Sequence, residues 1–126
     1  MITITPIFVY RDNTNAWTPT NESFTREEVA RKFGISRTTL WRHEAWIVNK
    51  ANIIDYHRYV SSHPKELDWY CIWVLYVAIQ HRKGEGSYDK AAQVMKEQRG
   101  LYFRRNFDEY VQQLVNKHKP KGRRVA

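Results

Sequence analysis

The sequence predicts a mostly α-helical protein with a small β component. Three observations carry this expectation. Two capped helical stretches meet at a glycine between Thr25 and Glu44. A long apolar run, Trp69 to Ile79, sits inside a further helical segment. Segments opening at Ser87 and Asn106 repeat apolar residues at helical spacing, whereas strand signals are confined to short stretches.

The first stretch is the most informative. Thr25 is a good N-cap, and Glu28 three residues on completes a capping box. Val29, Ala30 and Phe33 then share one side of a short helix, with Ala30 small enough to lie under a crossing helix. Gly34 falls where a helix ends most easily in a left-handed conformation. Ile35 plugs the corner, Ser36 caps a second helix, and Leu40 returns one turn later to the same core. Two capped helices joined by a tight glycine turn make a helix-turn-helix.

Such a unit reads DNA with the N-terminal half of its second helix. Arg37, Thr38, Trp41 and Arg42 point away from Ile35 and Leu40, so they are the residues offered to a groove. An arginine pairs bidentately with guanine, and a threonine touches a thymine methyl or accepts a bond. Ser36 opens this helix, where backbone N–H groups meet phosphate. Arg26 and Arg31 on the first helix are candidate contacts to the DNA backbone. The plainer alternative is two packed helices of a bundle that bind no DNA.

Val29-Ala30, Gly34-Ile35-Ser36, Thr39-Leu40 and Glu44 resemble the N-terminal signature of MerR-type winged-helix regulators. Tyr56-His57-Arg58-Tyr59, twelve residues after Glu44, looks like the segment that ends the wing in that family. The resemblance covers about residues 25–59 and implies a winged helix, dimeric DNA binding and transcriptional control. It makes Thr39 and Arg58 candidate backbone contacts, places His57 beside them, and gives Tyr56 and Tyr59 to the support of the wing. Small MerR-like repressors carried by cyanobacterial CRISPR-associated transposons look similar. Excisionases share the same winged helix. Trp41 stands where the family has arginine, Arg42 and His43 stand where it has aromatics, and the wing-tip glycine is missing.

The residues after Glu44 read two ways. Ala45-Trp46-Ile47-Val48 extends the helix or begins a wing strand, Asn49–Asn52 is a polar tip, and Ile53–Tyr56 is β-rich. Lys50 at such a tip would meet phosphate or the minor groove. Ahead of the helices, Ile2, Ile4, Phe8 and Tyr10 alternate around Pro6 and suggest an extended arm, closed by a turn at 12–15. The arm adds a strand to the wing or reaches to a second protomer.

Ser62–Leu67, with Pro64 near its first position, starts a helix expected to run to about Arg82 and stop before Gly84. Leu67, Tyr70, Cys71, Val74 and Ala78 lie on one side, and Ile72, Trp73, Leu75, Tyr76 and Ile79 on the rest. A helix apolar on every face must be buried on every face. Each large side chain contributes about 1.5–3 kcal/mol when buried. A partner subunit would provide the cover, so Tyr70, Ile72, Trp73, Leu75, Tyr76 and Ile79 are the expected homodimer contacts. The alternative is that the two following helices cover it within one chain. Ser87 caps a third helix ending near Arg99, with Gly100 as its stop. Asn106 caps a last one, whose stripe is Phe107, Tyr110, Val111 and Leu114.

The organisation expected is thus an arm plus winged helix-turn-helix over 1–60, a helical dimerisation region over 61–116, and a basic flexible tail over 117–126. The formal charge of +8 favours an anionic partner. The tail holds five of the cations and no acid, which leaves +3 on the rest. Five Trp and eight Tyr argue against disorder throughout. A lone cysteine, Cys71, fits an intracellular setting. The five His show no metal-ligand spacing, and Met1–Tyr10 lacks the features of a secretory signal. The eleven-residue apolar run is shorter than the roughly 20 residues a membrane span needs.

Catalysis needs convergent groups in a pocket, and no such set is recognisable. Arg37, Arg42, His43 and Tyr56 or Tyr59 share the residue types of a tyrosine recombinase, but their spacing differs and the chain is too small. The expectation is a cytoplasmic, nucleoid-associated, homodimeric repressor on a palindromic operator in double-stranded DNA, without cofactor, metal or small-molecule ligand. An excisionase-like architectural factor and a protein-interaction adaptor are the alternatives.

Overall fold

The computed structural model describes residues 23–117. The chain enters through a two-residue strand β1 (Ser23–Phe24), then forms α1 (Arg26–Phe33) and α2 (Arg37–His43). α2 continues through a π-helical stretch (Glu44–Val48) into one further turn, α3 (Asn49–Ala51). Asn52 closes this rod in the left-handed conformation at φ 58°. There follow α4 (Ile54–Ser62), β2 (Leu67–Asp68), the long α5 (Trp69–Glu85), α6 (Tyr88–Glu97), a 3-10 turn (Arg99–Tyr102) and α7 (Arg104–Lys117). β1 and β2 pair antiparallel, with Ser23 opposite Asp68 and Phe24 opposite Leu67.

The chain is therefore mostly helical with a small two-stranded antiparallel sheet, as composition and periodicity lead one to expect. The location of the β structure is different. Of the two readings of 45–56, the helix extension is the one seen: Glu44–Ala51 and Ile54–Ser62 are helical, and no wing strand forms there. Ile47, Val48 and Ala51 are buried at spacings a helix brings to one side, so tertiary burial overrides the β preference of the branched pair Ile47 and Val48. The arm of residues 1–22 and the basic segment 118–126 lie outside the described residues.

The start of α5 also differs from expectation. Pro64 sits in the turn before β2, and the helix begins at Trp69 with Asp68 as N-cap. The Cys71 N–H donates to the Asp68 carboxylate at 3.0 Å. Gly84 is inside the helix, which ends on Gly86 at φ 82°. Ser87 caps α6 as its position suggests, accepting from the Lys90 N–H at 3.1 Å. α7 begins two residues before Asn106, because its first N–H, from Arg104, finds the Asp55 carboxylate on α4 at 2.8 Å.

α5 is the axis of the core. Tyr70, Ile72, Trp73, Leu75 and Ile79 are all buried and Tyr76 half-buried within a single protomer. Their cover comes from many elements. Trp69 meets Phe24 edge-on at 5.3 Å, and Tyr76 stacks on Phe33 at 6.4 Å. Trp73 packs on Tyr102 and Phe107 at 5.7 and 5.5 Å. Tyr70 donates its hydroxyl hydrogen to the Tyr102 carbonyl. The expectation that these side chains form a subunit interface is thereby corrected. α6 and the π-helical stretch after α2 supply most of the cover for α5, and β2, α4, the 3-10 turn and α7 add to it. One continuous core joins residues from Val29 to Phe107.

Candidate nucleic-acid interface

The corner between α1 and α2 has the local geometry its residues dictate. The Thr25 hydroxyl accepts from the Glu28 N–H at 3.2 Å, and Glu28 Oε1 accepts from the Thr25 N–H at 2.8 Å. This reciprocal bond holds the Glu28 carboxyl below its ordinary range. Gly34 adopts φ 70° and sends its N–H back to α1 carbonyls. Ser36 Oγ accepts from the Thr39 N–H at 3.0 Å and donates to, or accepts from, the Thr39 hydroxyl at 2.9 Å. Val29, Ala30 and Leu40 are buried beneath the corner.

This arrangement leaves Arg37, Thr38, Trp41 and Arg42 exposed on α2, with Thr39 half-buried behind them. No ion pair joins Arg37 or Arg42 to any acid among the described residues. Two cations without an ion-pair partner among the described residues, beside a threonine and a tryptophan on one helical surface, can meet phosphate and base edges. Arg37 also borders a groove of about 340 Å³ whose wall includes Pro64 and Lys65. Lys65 was not legible as a site residue, since only the fold brings the turn before β2 to the start of α2.

Other residues proposed from sequence stand elsewhere. Arg26 is committed inside the fold: Nε and Nη2 donate to Glu44 at 2.7 and 2.6 Å, and Nη1 donates to the Pro64 carbonyl at 2.7 Å. Its charge is further stabilised by these bonds. Tyr56 is 1% exposed, so it cannot touch a ligand on the surface. Its hydroxyl donates to Glu44 Oε2 at 2.5 Å, and burial pushes the phenol well above its ordinary range. Arg26 is corrected from a DNA-backbone contact, and Tyr56 from a wing support placed among the DNA-binding residues, to internal supports, because a buried carboxylate at position 44 needs donors.

Arg31 is exposed on α1 at 3.7 Å from Glu27. Lys50 sits on α3 rather than on a wing tip, 3.5 Å from Asp89. Arg58 is exposed on α4 near Asp55, and His57 is half-buried against Tyr56. The structure thus brings Arg37, Thr38, Trp41 and Arg42 together and keeps Arg58 on a separate helix.

His43, on the inner face of α2, is buried. Its Nδ1 lies 2.8 Å from the Thr39 carbonyl, and its ring meets Tyr88 at 5.3 Å. Desolvation lowers its pKa below the ordinary value, and Arg82 and Lys83 act in the same direction. No family model, curated protein or solved structure matches the chain.

Proposed function

We propose that the protein is a sequence-specific DNA-binding regulator that places α2 in the major groove of duplex DNA. The observation that carries this reading is the exposed row Arg37, Thr38, Trp41 and Arg42 on the second helix of a glycine-cornered pair, with both guanidiniums free of ion pairs among the described residues. Local support is firm: the capping box, the left-handed Gly34 and the Ser36 cap fix the angle at which α2 leaves the corner. The net charge of +8 has the right sign for the partner. The likeness of Gly34-Ile35-Ser36 and Thr39-Leu40 to the MerR-type signature points to the same activity, although without a wing over 45–56.

A binding titration with duplex from the flanks of its own gene, against unrelated duplex of equal length, tests the reading. Specific binding about 10³-fold tighter than the unrelated duplex is expected. Equal affinity for both would overturn it.

The burial of α5 favours a second reading of the same interface. With that helix interior, the case for a twofold homodimer on a palindrome is weaker. A protein acting singly, or in a row on tandem sites as an excisionase-like architectural factor does, fits equally. Stoichiometry separates them: a repressor dimer occupies an inverted repeat in one step, whereas an architectural factor adds stepwise and bends the duplex.

A further inference from the structure

The π-helical stretch sets beside the α2 row an aromatic residue, Trp46, that the proposed duplex contact does not use. In an α-helix, residues five apart point about 140° away from each other. Across Glu44–Val48 the backbone closes five residues back, with the Asn49 N–H bonded to the Glu44 carbonyl. That stretch turns less per residue and carries Trp46 round to the side of Trp41. The two indoles meet at 5.8 Å between centroids and 68° between planes. Trp46 in turn meets the ring of Tyr88 at 5.1 Å and 84°.

Trp41 is 54% exposed and Trp46 is 38% exposed, whereas Trp69 and Trp73 are buried. An edge-to-face contact uses the edge of one ring, so at least one indole keeps a face its partner does not cover. Cations surround the row. Arg42 follows Trp41 directly, Arg37 lies one turn before it, and the Arg82 guanidinium sits 4.6 Å from the Tyr88 ring centroid. A groove of about 340 Å³ continues from Trp46 past Lys50 and Tyr88, where Asp89 offsets the Lys50 charge. π-turns interrupting an α-helix are frequent at functional sites.

We propose that Trp41 and Trp46 form a stacking platform for an unpaired nucleobase, with Arg37 and Arg42 holding the adjoining phosphates. The partner is then a nucleic acid containing single-stranded or locally opened DNA. Stacking on an open indole needs a base released from its own stack, and the exposed Arg37 and Arg42 cations match the backbone that carries it. The proposal rests on the reading that α2 faces nucleic acid, and it adds the state of the strand.

The test uses the full chain and three probes of one sequence: a duplex, the same duplex with a central unpaired bubble, and a single strand of about 15 nucleotides. Bubble and single strand are expected to bind at least about tenfold tighter than unrelated duplex and to quench tryptophan emission. Trp41→Ala should remove about tenfold of affinity for bubble and single strand. Trp46→Ala, at a residue outside the α2 row, should lose a similar factor on bubble and single strand while its affinity for duplex stays within about threefold, and Trp41→Phe should retain most of the binding. Trp41 is exposed, and an unchanged melting temperature would verify the fold of each variant. No preference for unpaired DNA, or equal loss on all three probes, overturns the platform while leaving a duplex contact through Arg37 standing. Unpaired DNA bound through Trp41 without specific duplex binding upholds the platform and overturns the duplex reading. Binding to none of the three overturns both.

Discussion

Glu44 takes two hydrogen bonds from the Arg26 guanidinium, at 2.7 and 2.6 Å, and so fastens the first turn of α1 to the far end of α2. The pair lies eighteen residues apart in the chain, and the Glu44 side chain is only 9% exposed. Tyr56 adds a third bond to the same carboxylate from α4. The helix-turn-helix corner is therefore clamped by electrostatics as well as packed by Val29 and Leu40.

Removing the carboxylate should be costly. Glu44→Ala leaves the Arg26 charge without its acid and the Tyr56 hydroxyl without an acceptor. A loss of about 3 kcal/mol is expected, at the low end for a broken buried pair because Arg26 keeps the Pro64 carbonyl. Tyr56→Phe should cost about 1.5 kcal/mol, the scale of one hydrogen bond to a charged group. Urea unfolding of each variant and of the double variant measures both, and additive losses would show that the residues do not act together.

The corner itself depends on Gly34. At φ 70° a side chain is strained, although nothing lies within 4 Å of the position its Cβ would take. Gly34→Ala should therefore destabilise by about 1 kcal/mol through the backbone alone, and Gly34→Asn by less. A lower midpoint with an unchanged denaturant slope is the expected signature. A neutral alanine variant would contradict the left-handed corner.

Stability should fall as the solution is acidified through the ordinary histidine range. His43 and His81 both have folded-state pKa values lowered by desolvation. The unfolded chain then binds more protons than the folded one between the lowered values and about 6.5. Stability is full above that range, declines as pH drops through it, and levels off below the folded values. Melting temperatures of the parent and of His43→Gln, taken between about pH 7.5 and 5, should diverge, with the variant less steep. Parallel curves would assign the dependence to other groups.

The interior position of α5 has its own consequence. Leu75 is fully buried within the protomer. Leu75→Ala should cost about 2–5 kcal/mol, and the melting midpoint of parent and variant should not depend on protein concentration. A midpoint that rises with concentration would restore α5, or a surface coupled to it, as a subunit contact.

Arg37→Ala should weaken specific duplex binding by about 1–3 kcal/mol if the guanidinium reads a base. Loss of the same size on unrelated duplex would make it a phosphate contact instead. Removing residues 117–126 takes away five cations and should flatten the salt dependence of binding. An unchanged slope would reject that role for the tail.

The elements legible in the sequence share a physical character. Thr25 with Glu28, Gly34, Ser36 with Thr39, and Ser87 with Lys90 act over three or four residues, so the identity of each residue and its immediate spacing suffice to place the bond. The surface of α2 followed from the same periodicity, since Ile35 and Leu40 turn inward and Arg37, Thr38, Trp41 and Arg42 are left outside. The resemblance to a winged regulator offered a wing as one of two readings of 45–56, and the chain takes the other, a continued helix. Buried Ile47, Val48 and Ala51 are needed by the core, and a helix supplies them.

The sequence by itself determined the glycine-cornered helix pair, the cations it exposes and the predominance of helix, because those depend on caps and on a period of 3.6 residues. Tertiary structure decided the rest: that Arg26 and Tyr56 serve Glu44 rather than a ligand, that a π-turn sets Trp46 beside Trp41, and that α5 is covered by its own chain. Each of these turns on which distant segment supplies a counterion, a hydrogen-bond donor or an apolar cover. Local pattern states the need for such a partner without saying where in the chain it lies.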